Sequence, residues 1–372
     1  MLVIFENIVA HEKHPKRAGT RLTGFLSFGL AFGISLFIRG TSASALPANA
    51  VNTIYDSYAK AFIQVQGTNA WFKEKQSGGR ADFWKHAEEI ATVLDAYEWT
   101  GKKAYKPMLI QLLNGFVHTN GALWTSNPYN DDCMWAAIDY ARGYLDTGDK
   151  NFRAIAKANF DMVYARAWDD HLGGGLWWKT NNTTKNACVN GPGAIAAYLL
   201  FKSLGDVTYR DKALSIYVWE RANLFDTNTG KIFDSERANG RVRGSPTTYN
   251  QGTFVGAANY LGFTNDAMLA VDYTISNMTT DGILPQYGAT GNNSGFNAIF
   301  LRWMVRFTKD RKLQGKYQSW LDQNAEAAWK VRRPSDNLSW CQWHDPTPAG
   351  TNLQSWGCIS SVEAMLAAWP GK

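Results

Sequence analysis

Apolar residues recur along this chain at three- and four-residue spacing in segment after segment, and the segments are separated by short runs rich in Gly, Asn, Asp and Thr. The spacing predicts helices over 51–73, 81–100, 103–119, 130–147, 150–168, 186–204, 207–223, 246–263, 264–279, 293–309, 313–331 and 359–368, and no stretch alternates as a strand does. That number of helices makes six antiparallel pairs. Small apolar stretches such as Gly193-Ala194-Ile195-Ala196-Ala197 and Gly256-Ala257-Ala258 suit an inner ring, whereas 150–168 and 207–223 carry Lys, Arg and Asp on one face, as solvent-facing partners do. The pattern predicts an all-α toroid of inner and outer helices, with the inner N-termini and their loops framing a cleft. No Pro-, Ser- or Gly-rich linker interrupts 51–372, so a single domain is expected, 46–372 once the leader is set aside.

The leader, 1–45, follows a different pattern. A basic stretch with Lys13, Lys16, Arg17 and Arg21 precedes the apolar run Leu22 to Ile38, and Ala43-Ser44-Ala45 then offers a small-residue cleavage site. This predicts a secretory signal peptide and a mature N-terminus near Leu46. The alternative is an uncleaved signal anchor, against which Gly24, Gly29 and Gly33 weaken the apolar run. No later stretch has the length to span a bilayer, and the C-terminus lacks the hydrophobic tail of a lipid-anchor signal. The expected location is secreted, cell-surface or periplasmic, and the expected form a monomer.

Composition adds aromatic chemistry. Sixteen Trp and sixteen Tyr exceed what packing requires, and both side chains offer a flat apolar face with a polar edge, as sugar-stacking clefts use. The net charge of +6 is scattered, apart from Arg237, Arg241 and Arg243 and the cluster from Lys330 to Arg333, which argues against nucleic acid and points weakly to anionic glycans. Only Cys133, Cys188, Cys341 and Cys358 are present, without metal-ligand spacing or clustered His, so neither metal nor cofactor is expected. Cys341 with Cys358 is the candidate disulfide; Cys133 and Cys188 read equally as small buried hydrophobes.

Candidate chemistry centres on Asp131-Asp132. Asn130 reads as an N-cap and Pro128 discourages an earlier helix, which places both carboxylates in a first turn beside Tyr129, Trp124, Trp135 and Trp177-Trp178. Doubled Asp at a helix start is often plain dipole compensation, and the surrounding aromatics shift the reading toward a site. One of Trp177 and Trp178 is expected to pack and the other to face ligand. Asn186, Tyr249, Asn250 and Gln251 stand at helix starts, where amides cap or read sugar hydroxyls. Asp169-Asp170 reads as a loop-ordering or surface pair. Glu88-Glu89, beside Trp84 and His86, reads as a solvated face with one member within reach of the cleft.

Together Asn130-Asp131-Asp132 with Trp135, Gly174-Gly175-Leu176-Trp177-Trp178, Lys185-Asn186-Ala187, Tyr249-Asn250-Gln251-Gly252, and Phe296 with Arg302 resemble glycoside hydrolase family 76, the endo-α-1,6-mannanases. The resemblance implies an (α/α)6 barrel, hydrolysis of α-1,6-linked mannan with retention of configuration, Asp131 as nucleophile and Asp132 as acid/base. The expected sugar contacts are Trp84, Tyr129, Asn130, Trp135, Trp177, Trp178, Lys179, Asn186, Tyr249, Asn250, Gln251 and Arg302. Asn297, where the family pattern has a lysine, and Cys133 depart from it. Adjacent Cα atoms lie ~3.8 Å apart, which reaches the ~5–5.5 Å carboxyl separation of retaining enzymes more readily than the ~6.5–9.5 Å of inverting ones. Alternatives from other classes are a transglycosylase on cell-wall mannan or glycan anchors, a non-catalytic carbohydrate-binding protein, and a helical scaffold.

Overall fold

Helix α1 (Ala50–Phe62) opens the part of the chain described by the computed structural model, residues 46–368. The expected helix over 51–73 ends at Phe62 and gives way to a hairpin, β1 (Ile63–Gln66) against β2 (Asn69–Phe72). The physical reason lies in the local sequence. Gly67 takes a φ of +60° at the turn, and Ala70 and Phe72 alternate inward while their neighbours stay half-exposed.

Eleven further helices follow: α2 (Phe83–Thr100), α3 (Tyr105–Asn120), α4 (Asn130–Thr147), α5 (Lys150–Ala167), α6 (Ala187–Leu204), α7 (Val207–Asn223), α8 (Thr248–Leu261), α9 (Thr264–Asn277), α10 (Phe296–Asp310), α11 (Gln314–Lys330) and α12 (Ser355–Ala367). Between α5 and α6 lies β3 (Thr184–Asn186), and between α7 and α8 lie β4 (Ser235–Arg237) and β5 (Val242–Arg243), which make a small antiparallel sheet in the order β3-β4-β5.

Even-numbered helices are buried nearly all round through their middle turns, and each packs on the next, α2 on α4, α6, α8, α10 and α12 in turn, with α12 closing back on α2. That closed inner ring and its odd-numbered outer partners form an (α/α)6 toroid. Outer helices bury one stripe only. In α5 the buried positions are Phe152, Ala156, Asn159, Phe160, Val163 and Ala167, the 3–4 spacing of a one-sided helix, and burying each large member contributes ~1.5–3 kcal/mol relative to exposure. Close approach inside the ring requires small residues: a Cβ on Gly252 of α8 would lie 2.5 Å from the Phe300 Cα of α10.

The inner-to-outer connections after α4 and α6 share one chemistry. Gly148 and Gly205 end the inner helices in the left-handed region, and Asp149 and Asp206 then cap the outer helices by accepting from the N–H groups of Asn151 and Thr208.

The middle of the ring holds charge. Arg302 of α10, fully buried, pairs with Glu88 and Asp95 of α2 and with Glu363 of α12, while Arg142 of α4 reaches Asp95 at 2.7 Å and Glu98 at 2.8 Å. Burial alone would raise Asp95, but Arg142 and Arg302 hold it at about 2. Burial pushes Glu363 and Asp139 well above the usual carboxylate range, with Arg302 opposing at both. Two expectations are corrected here. Glu88-Glu89 is not a solvated face, since Glu88 pairs with Arg302 and Glu89 is sealed against Ser355. Arg302 lies inside the ring on acidic partners rather than in a sugar site.

The expected signal segment lies outside the described residues. Among the described residues no helix is long and apolar enough to cross a membrane, and all four cysteines are buried free thiols, Cys341 with its Sγ 2.9 Å from the Gly288 carbonyl oxygen. The expected Cys341–Cys358 bridge is therefore not formed in this structure.

Candidate active site

The N-termini of the inner helices open on one cleft of about 740 Å³, lined by Phe83 and Trp84 from α2, Asp131, Asp132 and Trp135 from α4, Cys188 from α6, Tyr249 from α8 and Phe296 from α10. Asp82, Tyr129, Trp178, Asp234, Asn292 and Asn293 from the connections, with Asn186 at the end of β3, complete the wall. Among the described residues no three His, Cys, Asp or Glu side chains gather as metal ligands.

Asn130 does not cap α4 as expected. Its Nδ2 donates to the Trp177 carbonyl at 2.8 Å and its Oδ1 accepts from Arg166 Nε at 2.7 Å, so this buried amide ties the start of α4 to the Trp177-Trp178 loop and to α5. The backbone agrees, with the Asn130 N–H donating to the Trp178 carbonyl at 2.8 Å. Asn130 thus fixes the aspartates from behind.

Asp131 and Asp132 stand in different surroundings. Asp131 Oδ2 accepts from Trp178 Nε1 at 2.9 Å and from the Cys188 thiol at 3.3 Å, whereas Asp132 accepts from Asn127 Nδ2 at 3.1 Å. Burial pushes Asp131 up to about 6, against the opposing pull of the Cys188 and Trp178 donors. Burial, reinforced by the negative charge of Asp131, pushes Asp132 higher, to about 7, with Asn127 opposing. The first turn of a helix favours an ionised carboxylate by ~0.3–1 kcal/mol, and the rise of Asp131 is on the order of 3 kcal/mol, so desolvation wins over the dipole. The pair thus shares one desolvated site in which Asp131 has two side-chain donors and Asp132 one.

Of the two tryptophans, Trp177 is packed and Trp178 lines the cleft. Trp178 forms cleft wall, edge-on to Tyr129 at 5.6 Å between ring centroids, and Lys179 Nζ sits 4.3 Å over Tyr129 and 4.2 Å over Trp178. Trp177 points away and is buried. Its Nε1 donates to Asp169 at 2.7 Å, and the buried Lys185 reaches the same carboxylate at 2.7 Å and the His171 carbonyl at 2.7 Å. Asp169 therefore orders the loop that delivers Trp178.

Trp84, Trp135, Asn186 and Tyr249 line the cleft, with Tyr249 stacked on Phe296 at 3.9 Å and Trp84 edge-on to Trp356 at 4.7 Å. Asn250 and Gln251 do not. Gln251 spends its amide on structure, accepting from the Ile232 N–H at 2.6 Å and donating to the Gly230 and Ala270 carbonyls at 3.0 Å each. Asn250 is buried behind the wall and donates to Asp234 Oδ1 at 3.3 Å.

Asp234 and Cys188, with Asp82, Phe83, Asn292 and Asn293, are the wall residues that the sequence reading missed. Asp234, a further cleft carboxylate beside Asp82, Asp131 and Asp132, is raised by burial, opposed by Ser235 and Asn250, and Asn186 Nδ2 lies 3.4 Å from its Oδ2. A lone Asp in a loop carries no spacing signal; only its place just before a polar strand could have marked it.

The family model described as Glycosyl hydrolase family 76 matches residues 41–368. Mannan endo-1,6-alpha-mannosidase DFG5 of Saccharomyces cerevisiae is 27% identical over 271 residues, 62% of this chain, and the chain spans 56% of that relative's length. The solved GH76A alpha-1,6-mannanase of Salegentibacter sp. HEL1_6 superposes with a TM-score of 0.78 at 26% identity, covering 86% of this chain and 98% of that one. A variant of it, inactivated by replacing two consecutive aspartates with asparagine, was solved with α-1,6-mannotriose and superposes equally well. Dfg5 of Chaetomium thermophilum, solved with glucosamine, shares the fold at 16% identity and a TM-score of 0.69, covering 87% and 89% of the two chains.

Proposed function

The chain belongs to glycosyl hydrolase family 76, and we propose that it cleaves α-1,6-mannosidic bonds within mannan by a retaining double displacement, with Asp131 as nucleophile and Asp132 as acid/base. The observation that carries this reading is the adjacent carboxylate pair on the cleft wall, with two side-chain donors on Asp131 and one on Asp132. A carboxylate held by two donors suits attack, and a neighbouring carboxyl raised by burial and by that carboxylate's charge suits donation to a leaving oxygen.

In the first step Asp131 attacks C1 of the mannosyl unit as Asp132 gives its proton to the departing glycosidic oxygen. The C1–O bond to the leaving sugar breaks and an ester to Asp131 forms. In the second, Asp132 takes a proton from water, the water oxygen bonds to C1, and Asp131 leaves as carboxylate. Trp84, Trp135 and Trp178 offer stacking faces, Asn186 and Asp234 face sugar hydroxyls, and Tyr249 closes the wall. Lys179 backs Trp178 and Tyr129 rather than standing alone. The proposal includes secretion, with the leader removed near Leu46, which N-terminal sequencing of the native protein checks.

Incubation with linear α-1,6-mannan is expected to generate new reducing ends at a rate that is bell-shaped in pH. Asp131 must be ionised, so the rate climbs as pH rises through about 6; Asp132 must be protonated, so it falls as pH rises through about 7. A rate still climbing above pH 8 would contradict the assignment of Asp132 as the acid.

A further inference from the structure

The β4–β5 ribbon carries three arginines that the reaction does not use. Ser235 pairs with Arg243 and Glu236 with Val242, and the Arg237 N–H donates to the Arg241 carbonyl at 3.0 Å, so Arg237 stands opposite Arg241. Side chains directly opposite share a face, which places Arg237, Arg241 and Arg243 together, with Asn186 on the same face through its pairing with Ser235. The other face is internally neutralised: Lys185 is buried on Asp169, and Glu236 is buried near it.

Like charges set directly opposite one another destabilise a strand pair. Among the described residues none of the three guanidinium groups has an ion pair or a hydrogen-bond acceptor, whereas Arg142, Arg166, Arg302, Arg306 and Arg333 all find carboxylates, amides or carbonyls. Arg243 is half-buried and its Nε is shut off from solvent with no acceptor, a polar group that ordinary folds pair. Arg237 and Arg241 are exposed.

The ribbon is rooted in the cleft. Asp234, the residue before β4, lines it, as does Asn186 at the end of the arginine face; at ~3.4 Å per residue, Arg237 lies roughly 10 Å along the strand from Asp234. We infer that this face is an anion subsite at the cleft rim, taking a phosphoryl ester carried by the glycan that the cleft holds. Guanidinium forks match phosphate oxygens two at a time, and a phosphomonoester brings nearly two negative charges to a cluster of three cations, more than a single carboxylate brings. The inference rests on the mannan reading only for where the glycan lies.

The test compares a neutral α-1,6-manno-oligosaccharide with the same oligosaccharide bearing one phosphate ester, by calorimetric titration in the Asp131→Asn background so that neither turns over. The phosphorylated ligand is expected to bind roughly fivefold tighter or more at low salt. The advantage should vanish at ~1 M salt and in the Arg237→Gln/Arg241→Gln/Arg243→Gln variant, which should keep the neutral ligand's affinity and a thermal midpoint no lower than the parent's. Equal affinity for both ligands at low salt, or an advantage that survives in the triple variant, overturns the subsite. A uronate-bearing oligosaccharide bound as tightly as the phosphorylated one overturns the phosphoryl assignment. Absence of binding by the neutral ligand, with arginine-dependent binding of mannose 6-phosphate retained, would instead sink the mannan reading and leave the subsite standing.

Discussion

Asp131→Asn abolishes turnover on every mannoside, whereas Asp132→Asn loses most activity on mannan yet still forms the glycosyl-enzyme from an aryl mannoside whose leaving group departs without a proton. The difference follows from the steps each residue serves: no ester forms without the Asp131 carboxylate, and only a basic leaving oxygen needs the Asp132 proton. Azide then accelerates the slow second step of Asp132→Asn, because a small anion attacks C1 without a general base, and the mannosyl azide released keeps the α configuration. Steady-state kinetics on both substrates, with the azide product identified by NMR, make the check. Rescue of Asp131→Asn in this way would reverse the roles. Near-normal activity in both variants would leave Asp131-Asp132 as an ordinary helix start.

Arg302→Met is expected to destabilise the protein by ~3–5 kcal/mol, the cost of leaving buried acids without their cation. Glu88, Asp95 and Glu363 all lose a partner at once, and the three helices they join, α2, α10 and α12, are neighbours in the inner ring. Urea denaturation reads the loss. The fraction that remains folded should keep its KM for mannan, since Arg302 does not line the cleft. A stable variant with a raised KM would return Arg302 to the sugar-binding role that its motif suggested.

That contrast shows which parts of the site could be read from the chain. The helices were legible because burial follows one stripe in the outer ones and nearly every position in the inner ones, as in α5 against α6. Where strands are two to four residues long, as in β1 to β5, no period has room to declare itself, and the first helix was drawn through a hairpin. Asp131, Asp132, Trp178, Asn186 and Tyr249 meet in one cleft because they sit at or beside inner-helix starts that open on the same end of the ring. Depth was the illegible quantity. Arg302 lies six residues into α10, ~9 Å below the rim at 1.5 Å per residue, and Gln251, three residues past the start of α8, turns to the backbone of the 230–232 loop. Residue type and position near a helix start do not say which way a side chain points. Asp234 reaches the cleft from a loop, held there by Asn250 from α8 and by Asn186 beside α6, a tertiary arrangement without a local pattern.

Real-time proton NMR of linear α-1,6-mannan during digestion tests the central claim most directly, since it reads bond cleavage and stereochemistry together. New reducing ends should appear first as the α anomer and only later relax toward the equilibrium mixture, as a covalent ester on Asp131 requires. Reducing ends that appear first as β, or no reducing ends at all, would contradict it.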